Sequence, residues 1–501
     1  MAVSDSAPRT YGNWRRPRSG GLFGLQRFGT MVMFAGLVFV VVVAMTSGLL
    51  RALIAFALVA GLLYLVVRRD RHGKSLAERL RARLLWWSAE RAGAHLYRSG
   101  PLGWTGWGTH QLPGIAASLR LSEHRDAYGA PFAMIGAPAT DTYTVVFAVT
   151  PEGASLVDVD QVDRWVANWG RWLATLGDEA SVEGCAVTIQ TSPDTGHRLH
   201  REVMGAMDPH APQFAQDVLA EVVAGYPSTS SVVRGWVTLT FSATSPSTGA
   251  VRGPDEMGRD LAARLPGLAS TLSATGAGAA RPVTASELCE IVRVAYDPHT
   301  MPIIEAARGA GEPTDLHWSD VGPAAAVAGW DGYRHDDAYS TTWAMSEAPR
   351  GTVHSTVLAR LLAPHPDIDV KRVTLTYRVF DAGAAAAIVE ADLRDAEFVA
   401  SAMRRPSARA VQAARAAQAT AAEEAAGAGL VMFAMIVTAT VTDPDRARLA
   451  RAAIDTATAA ARLRLRPVYG AQPSAFAAGL PLGIMLPKHL SAMASTLKDR
   501  M

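Results

Sequence analysis

At 501 residues the chain exceeds what one compact core usually takes, so several folded units are expected. Hydrophobic residues make up 49% and charged residues 19%, with a net charge of +2, which excludes a disordered chain and any strong whole-chain attraction to nucleic acid. The two cysteines, Cys185 and Cys289, are too few for a disulfide framework and stand in no Cys/His metal spacing, which fits a reducing compartment.

Residues 1–28 form a basic tail carrying Arg9, Arg15, Arg16, Arg18 and Arg27. From Thr30 to Leu50 there is no charge, and after Arg51 the run ALIAFALVAGLLYLVV continues to Val67. This length suits two short helices with a turn at Thr46, Ser47 and Gly48, a transmembrane hairpin over 29–67 in which Arg51 snorkels to the far interface. Arg68, Arg69, Arg71 and Lys74 follow it, so arginine flanks both outer ends. The positive-inside rule then predicts a two-helix, multi-pass cell-membrane protein with both termini cytoplasmic.

Residues 68–110 are expected to hold a basic juxtamembrane helix over 75–98, with Leu80, Leu84, Leu85, Trp86 and Trp87 at near-helical spacing, and then the linker GPLGWTGWG. Such a helix could lie on anionic lipid, bind DNA, or pack as a solvated helix on the body.

A first α/β lobe is expected over 111–325. TYTVVFAV is strand-like, and DVDQVDRWVANWGRWLATLG is a helix with Val162, Trp165, Val166, Trp169, Trp172, Leu173 and Leu176 on one face. Asp158 or Asp160 can cap it and Gly177 can stop it. VEGCAVTIQT is the next strand, completing a βαβ unit. The tryptophan face is that of a helix lying on a sheet. PQFAQDVLAEVVAG, DEMGRDLAARLPGL and SELCEIVRVAYD read as helices, SVVRGWVTLTFSAT as a strand, and a Gly/Pro region near 308–335 marks a boundary.

A second lobe is expected over 326–485, before a tail at 486–501. YSTTWAM and VKRVTLTYRVF are strands, and an Ala-rich helical stretch from 383 to 427 breaks at Pro406. LVMFAMIVTATVT is a buried strand, followed by a helix that starts with Asp443 as cap and Pro444 in its first turn, and by the short strand RLRPVY. The expected class is therefore α+β, a two-helix transmembrane hairpin followed by two α/β lobes with ferredoxin-like βαβ units.

No residue is predicted to be catalytic, cofactor-binding or metal-binding. The only GK[ST] is Gly73-Lys74-Ser75, with Arg68 where a phosphate loop requires its first glycine. The glycine-rich stretch near 275–279 lacks strand-turn-helix context. His197, His200 and His210 have no paired cysteine or HExxH frame, and Asp158, Asp160 and Asp163 suit a helix start. His335, Asp336 and Asp337 could suggest acid-base work, yet no nucleophile frame accompanies them.

Several segments together resemble a family of actinobacterial membrane proteins of conjugative and integrative elements: YGNWRRPRSGGLFGL, the hairpin, HLYRSGPLG, LPGIAASLRLSEHRDAYGAPFAMI, YTVVFAV and DVDQVDRWVANWGRWLATLG. The resemblance implies a hairpin subunit fused to the amino-terminal domain of a type IV secretion ATPase, whose motor is a separate chain; this sequence ends soon after FAAGLPLGIMLP. It implies a non-catalytic integral membrane scaffold whose partners are that separate ATPase, other channel subunits and cytoplasmic membrane lipids, in a homo- or hetero-oligomeric assembly, with no cofactor and no small-molecule substrate. The type VII secretion translocon subunit that pairs two membrane helices with a cytosolic α/β body is the alternative resemblance.

Overall fold

The computed structural model describes residues 9–490 apart from 13, 15–26, 69, 71, 102, 104–108, 154–155, 209, 226–229, 350 and 403–404. Most of the basic tail, most of the GPLGWTGWG stretch and residues 491–501 of the carboxy-terminal tail lie outside the described residues.

The first helices among the described residues are apolar, α1 (Arg27–Ser47) and α2 (Leu49–Val67), joined at Gly48 with φ 83°. They cross closely: a Cβ on Gly36 would stand 2.4 Å from Val59 Cγ1, and Ala52 and Ala55 are buried. Helix α3 (Leu76–Arg91) opens with a capping box, Ser75 accepting from the Glu78 N–H and Glu78 accepting from the Ser75 N–H.

The next segment holds strands β1 (Leu96–Arg98), β2 (Arg120–Arg125), β3 (Pro131–Ala137) and β4 (Thr142–Val149), then α4 (Val159–Asp178) and β5 (Val182–Pro193). Helices α5 (His197–Ala206) and α6 (Gln213–Gly225) lead to β6 (Ser231–Ser242), α7 (Pro254–Leu272), β7 (Ala280–Pro282), α8 (Ala285–Tyr296) and α9 (Met301–Ala310). Strands β8 (Ala325–Ala328), β9 (Tyr333–His335) and β10 (Ala338–Glu347), the short α10 (Ala359–Leu362) and β11 (Val370–Val379) follow. The last elements are α11 (Ala382–Ser401), α12 (Ala408–Ala425), β12 (Val431–Val441), α13 (Ala447–Ala460), β13 (Arg464–Pro467) and α14 (Gln472–Ala478).

The thirteen strands among the described residues join one antiparallel sheet in the order β1-β8-β9-β10-β12-β11-β5-β6-β4-β3-β2, with β13 also on β10 and β7 also on β4. The order β7-β4-β6-β5 in one half mirrors β13-β10-β12-β11 in the other. In both halves the second of these strands changes partner along its length. β4 meets β3 over Thr142–Val145 and β7 over Phe147–Val149, while β10 meets β9 over Ala338–Ser340 and β13 from Trp343 onward. Each half also carries a helix pair between its third-listed and fourth-listed strands, α5–α6 and α11–α12.

This arrangement corrects the expectation of two ferredoxin-like lobes. β5 and β11 pair from Lys371↔Thr191 to Arg378↔Gly184, so backbone hydrogen bonds fuse the halves into one sheet where a domain boundary would leave an open edge.

The membrane expectation is corrected as well: among the described residues no helix is long and apolar enough to cross a membrane. The two helices form, but their described apolar side chains run from Met31 to Met45 and from Leu49 to Leu65, the second run interrupted by Arg51. At 1.5 Å per residue these runs cover about 22 and 25 Å, short of the roughly 30 Å hydrocarbon core. The transmembrane hairpin and the cell-membrane localisation built on it are withdrawn.

Local details follow packing more than capping. Asp158 stands at the N-cap of α4 without a side-chain cap bond, and the helix runs on through Gly177 to Asp178. Gly177 serves close approach instead, since a Cβ there would stand 2.7 Å from the Phe380 carbonyl oxygen. The Ala-rich stretch breaks around Pro406 as its ring requires, and Ser407 caps α12. Trp169 stacks on the buried Trp172 and meets Tyr377 edge-on, which places the tryptophan face against the sheet.

Two glycines separate by context. Gly483 has φ 68°, and a Cβ would lie 2.1 Å from Thr144 Oγ1, so Gly483→Ala should cost about 2 kcal/mol or more. Gly170 is exposed in α4 with nothing near its Cβ position, so Gly170→Ala should stabilise by about 0.5–1 kcal/mol. Urea unfolding midpoints of the two variants check both signs.

Candidate functional site

Four central strands repeat Thr-x-Thr: Thr142 and Thr144 in β4, Thr238 and Thr240 in β6, Thr374 and Thr376 in β11, Thr438 and Thr440 in β12. Because side chains alternate across a sheet, the repeat lays hydroxyls along one face and Val, Leu, Met and Phe along the other. The apolar face is covered by α4 and α7 in one half, through Trp172, Leu173, Leu261 and Leu265, and by α13 in the other, through Ala453 and Ile454.

The hydroxyl face carries a buried polar band. Its cross-strand bonds are Thr144–Thr240 at 3.1 Å, Thr188–Thr374 at 3.1 Å, Thr342–Thr438 at 3.1 Å and Ser340–Thr440 at 2.7 Å. At its middle, Arg372 donates from Nε and Nη2 to Gln190 Oε1 at 3.2 and 3.1 Å. Arg372 is 2% exposed and its Nη1 has no hydrogen-bond partner among the described residues. Burial lowers its pKa from 12.5 to about 10.

The cover over this face is the segment that runs from α14 to Leu486. Gln472 accepts from the Thr342 N–H at 2.8 Å and donates to its carbonyl at 3.1 Å. Thr374 donates to the Gly479 carbonyl at 2.7 Å. Phe476 packs among Tyr296, Tyr333 and His335, with the Arg372 guanidinium 5.6 Å from its ring centre. A backbone laid on a sheet brings carbonyls that need donors, and threonine supplies them within a buried layer. The arrangement seats a polypeptide segment, with its hydroxyls committed to hydrogen bonds.

The residues weighed from sequence fall apart in space or serve the fold. His335 is fully buried, its Nδ1 2.5 Å from the Tyr296 carbonyl and its Nε2 2.8 Å from Ser340 Oγ. Burial lowers its pKa from 6.5 to about 4. Asp336 and the exposed Asp337 form the β9–β10 turn, Asp336 with φ 47°. Asp336 accepts from the Ala324 and Ala325 N–H groups, and burial raises its pKa.

His197 and His200 sit exposed on α5 and His210 beyond it, and no group of three metal-type ligands occurs among the described residues. Asp163 accepts a hydrogen bond from Tyr11. Gly73, at φ 78°, and Lys74 form the turn before α3, where Lys74 pairs with Glu78 at 3.6 Å. The glycines near 275–279 are in a turn at the end of α7, with Gly276 at φ 81°.

A serine–histidine pair, Ser99 and His110, was not singled out from sequence. Ser99 Oγ is 3.1 Å from His110 Nδ1 and donates to the Pro323 carbonyl at 2.6 Å. The hydroxyl proton is spent on that carbonyl, so the imidazole is the donor, the reverse of a nucleophile and its base. The Thr-x-Thr repeat was the sequence signal for the polar band, and its cover could not be read from it.

The profile of a domain of unknown function (DUF8461) matches residues 18–78, which takes in α1, α2 and the capped start of α3. No curated protein matches the chain.

Two measurements probe the band. Protonating His335 is disfavoured in the fold, so its contribution is present above pH 6.5 and lost as pH falls toward 4, up to about 3 kcal/mol. Urea unfolding at pH 7 and 4.5 should show a larger drop in the native chain than in His335→Asn. Gln190→Leu should cost about 1–3 kcal/mol by stripping the guanidinium of its acceptor, and adding Arg372→Met should recover most of the loss. A double variant no more stable than Gln190→Leu would contradict this.

Proposed function

We propose that the chain is a non-catalytic scaffold of a secretion- or conjugation-type translocation complex, which docks a separate ATPase. The observation that carries the reading is the extent of exposed apolar surface on elements that project from the sheet. Phe34, Leu37, Phe39, Met45, Leu53 and Phe56 are each more than half exposed on α1 and α2. Phe214, Val218 and Val222, at i, i+4 and i+8 of α6, form an exposed stripe, and Phe398 on α11 is 72% exposed. Contiguous surfaces of this kind mark interaction sites.

Two further points support it. Of the residues weighed for chemistry, His335 is held within the threonine band, Asp336 and Gly73 form turns, and Asp163 accepts from Tyr11. The segments YGNWRRPRSGGLFGL, HLYRSGPLG and the α4 helix are among those that carry the resemblance to the conjugative-element family, which implies a body like the amino-terminal domain of a type IV secretion ATPase. In this reading each half of the sheet is a split βαβ unit of ferredoxin-like kind, taken separately from its joined neighbour.

Affinity purification of the full chain from the cells that make it, followed by mass spectrometry, should recover an ATPase as a stoichiometric partner. Purified chain that hydrolyses ATP unaided would overturn the scaffold reading.

A further inference from the structure

Residues 9–12 and 14 precede α1 in the chain, yet they contact both halves of the sheet. Tyr11 exchanges two backbone hydrogen bonds with Val353, both 2.8 Å, which makes a one-residue β-bridge. Its hydroxyl donates to Asp163 Oδ1 at 2.7 Å. Burial and this bond push the Tyr11 pKa up to about 12. Trp14 meets Phe433 edge-on, ring centres 5.6 Å apart. Gly12 lies between them, and a Cβ there would stand 3.2 Å from Thr352 Cγ2.

These contacts come from different parts of the fold. Asp163 is on α4 of the first half, Val353 is in the loop after β10, and Phe433 is on β12 of the second half. Strand-like backbone pairing gives an extended peptide its affinity, and pockets for alternate side chains give specificity. A phenol against a carboxylate, a glycine where a side chain would crowd, and an indole against a phenyl ring are three such readings in four residues.

We propose that the face formed by α4, the 351–353 loop and β12 is a recognition groove for an extended Tyr-Gly-x-Trp peptide. It is filled in cis by this chain's own Tyr11, Gly12 and Trp14, which clamp the two halves of the sheet across their seam. A tethered peptide acts at an effective concentration of about millimolar, so the native arm should exclude a free copy of itself.

The test uses the full chain and a fluorescent hexapeptide of sequence RTYGNW, residues 9–14. The variant Tyr11→Ala/Trp14→Ala, whose own arm is weakened, should bind the peptide saturably, and the native chain at least tenfold more weakly. Adding Asp163→Ala to the variant should weaken binding about fivefold, the loss of one charge-assisted hydrogen bond. Equal binding by native chain and variant, or no saturable binding by a variant that still melts cooperatively, would overturn the groove.

A cysteine pair, Gly12→Cys/Thr352→Cys, assigns the donor of the arm, since Cys185 and Cys289 are buried. Oxidation should give a single internally linked monomer. A linked dimer would show that a second copy supplies the arm and overturn the cis assignment; no linkage would overturn the contact itself.

Discussion

The antiparallel pairing of β5 with β11 is the constraint on which the rest of the molecule depends. Each strand is the outer member of a four-strand set, and an outer strand presents unpaired N–H and C=O groups that must be satisfied somewhere. Pairing the two edges satisfies both rows at once and turns two similar halves into one sheet. It also brings Arg372 beside Gln190 and Thr374 beside Thr188, so the polar band is continuous only because of this seam.

The band explains why the centre of so large a sheet is not uniformly apolar. One face is covered by amphipathic helices, which satisfy their own backbone and need only apolar partners. The other is crossed by α14 and the irregular segment after it, whose peptide groups require donors. Threonine is suited to that place: its β-branched body fits a strand, and its hydroxyl reaches a neighbouring strand or the overlying carbonyl. Gly479 and Gly483 let that cover sit close on the hydroxyl layer.

Arg372 is the costly member of this layer. A buried guanidinium held by one amide oxygen and an aromatic ring is weak as a source of stability. It sits opposite Gln190 across the seam, so a slipped register would strip the guanidinium of that acceptor. The same seam is crossed on the other face by the arm at Tyr11, so the halves are tied from both sides as well as by the strand pairing.

What the sequence by itself determined is the local grammar. The periods of α4, α7, α8 and α13, the strands β4, β5, β6, β11 and β12, the break at Pro406 and the cap at Asp443 follow from patterns of a few residues, and the α+β class follows with them. The short strands β1, β7, β8 and β9 carry too few residues to show a period. Their existence depends on partners elsewhere in the chain.

Only the tertiary structure decided how far the apolar helices extend, that the halves share one sheet, and what lies over the threonines. Edge pairing is made by backbone groups that every residue has, so no side-chain pattern announces it. The Thr-x-Thr repeat reveals a two-faced strand, but the partner of its hydroxyl face lies dozens to hundreds of residues away, and proximity of that kind is a property of the folded chain alone.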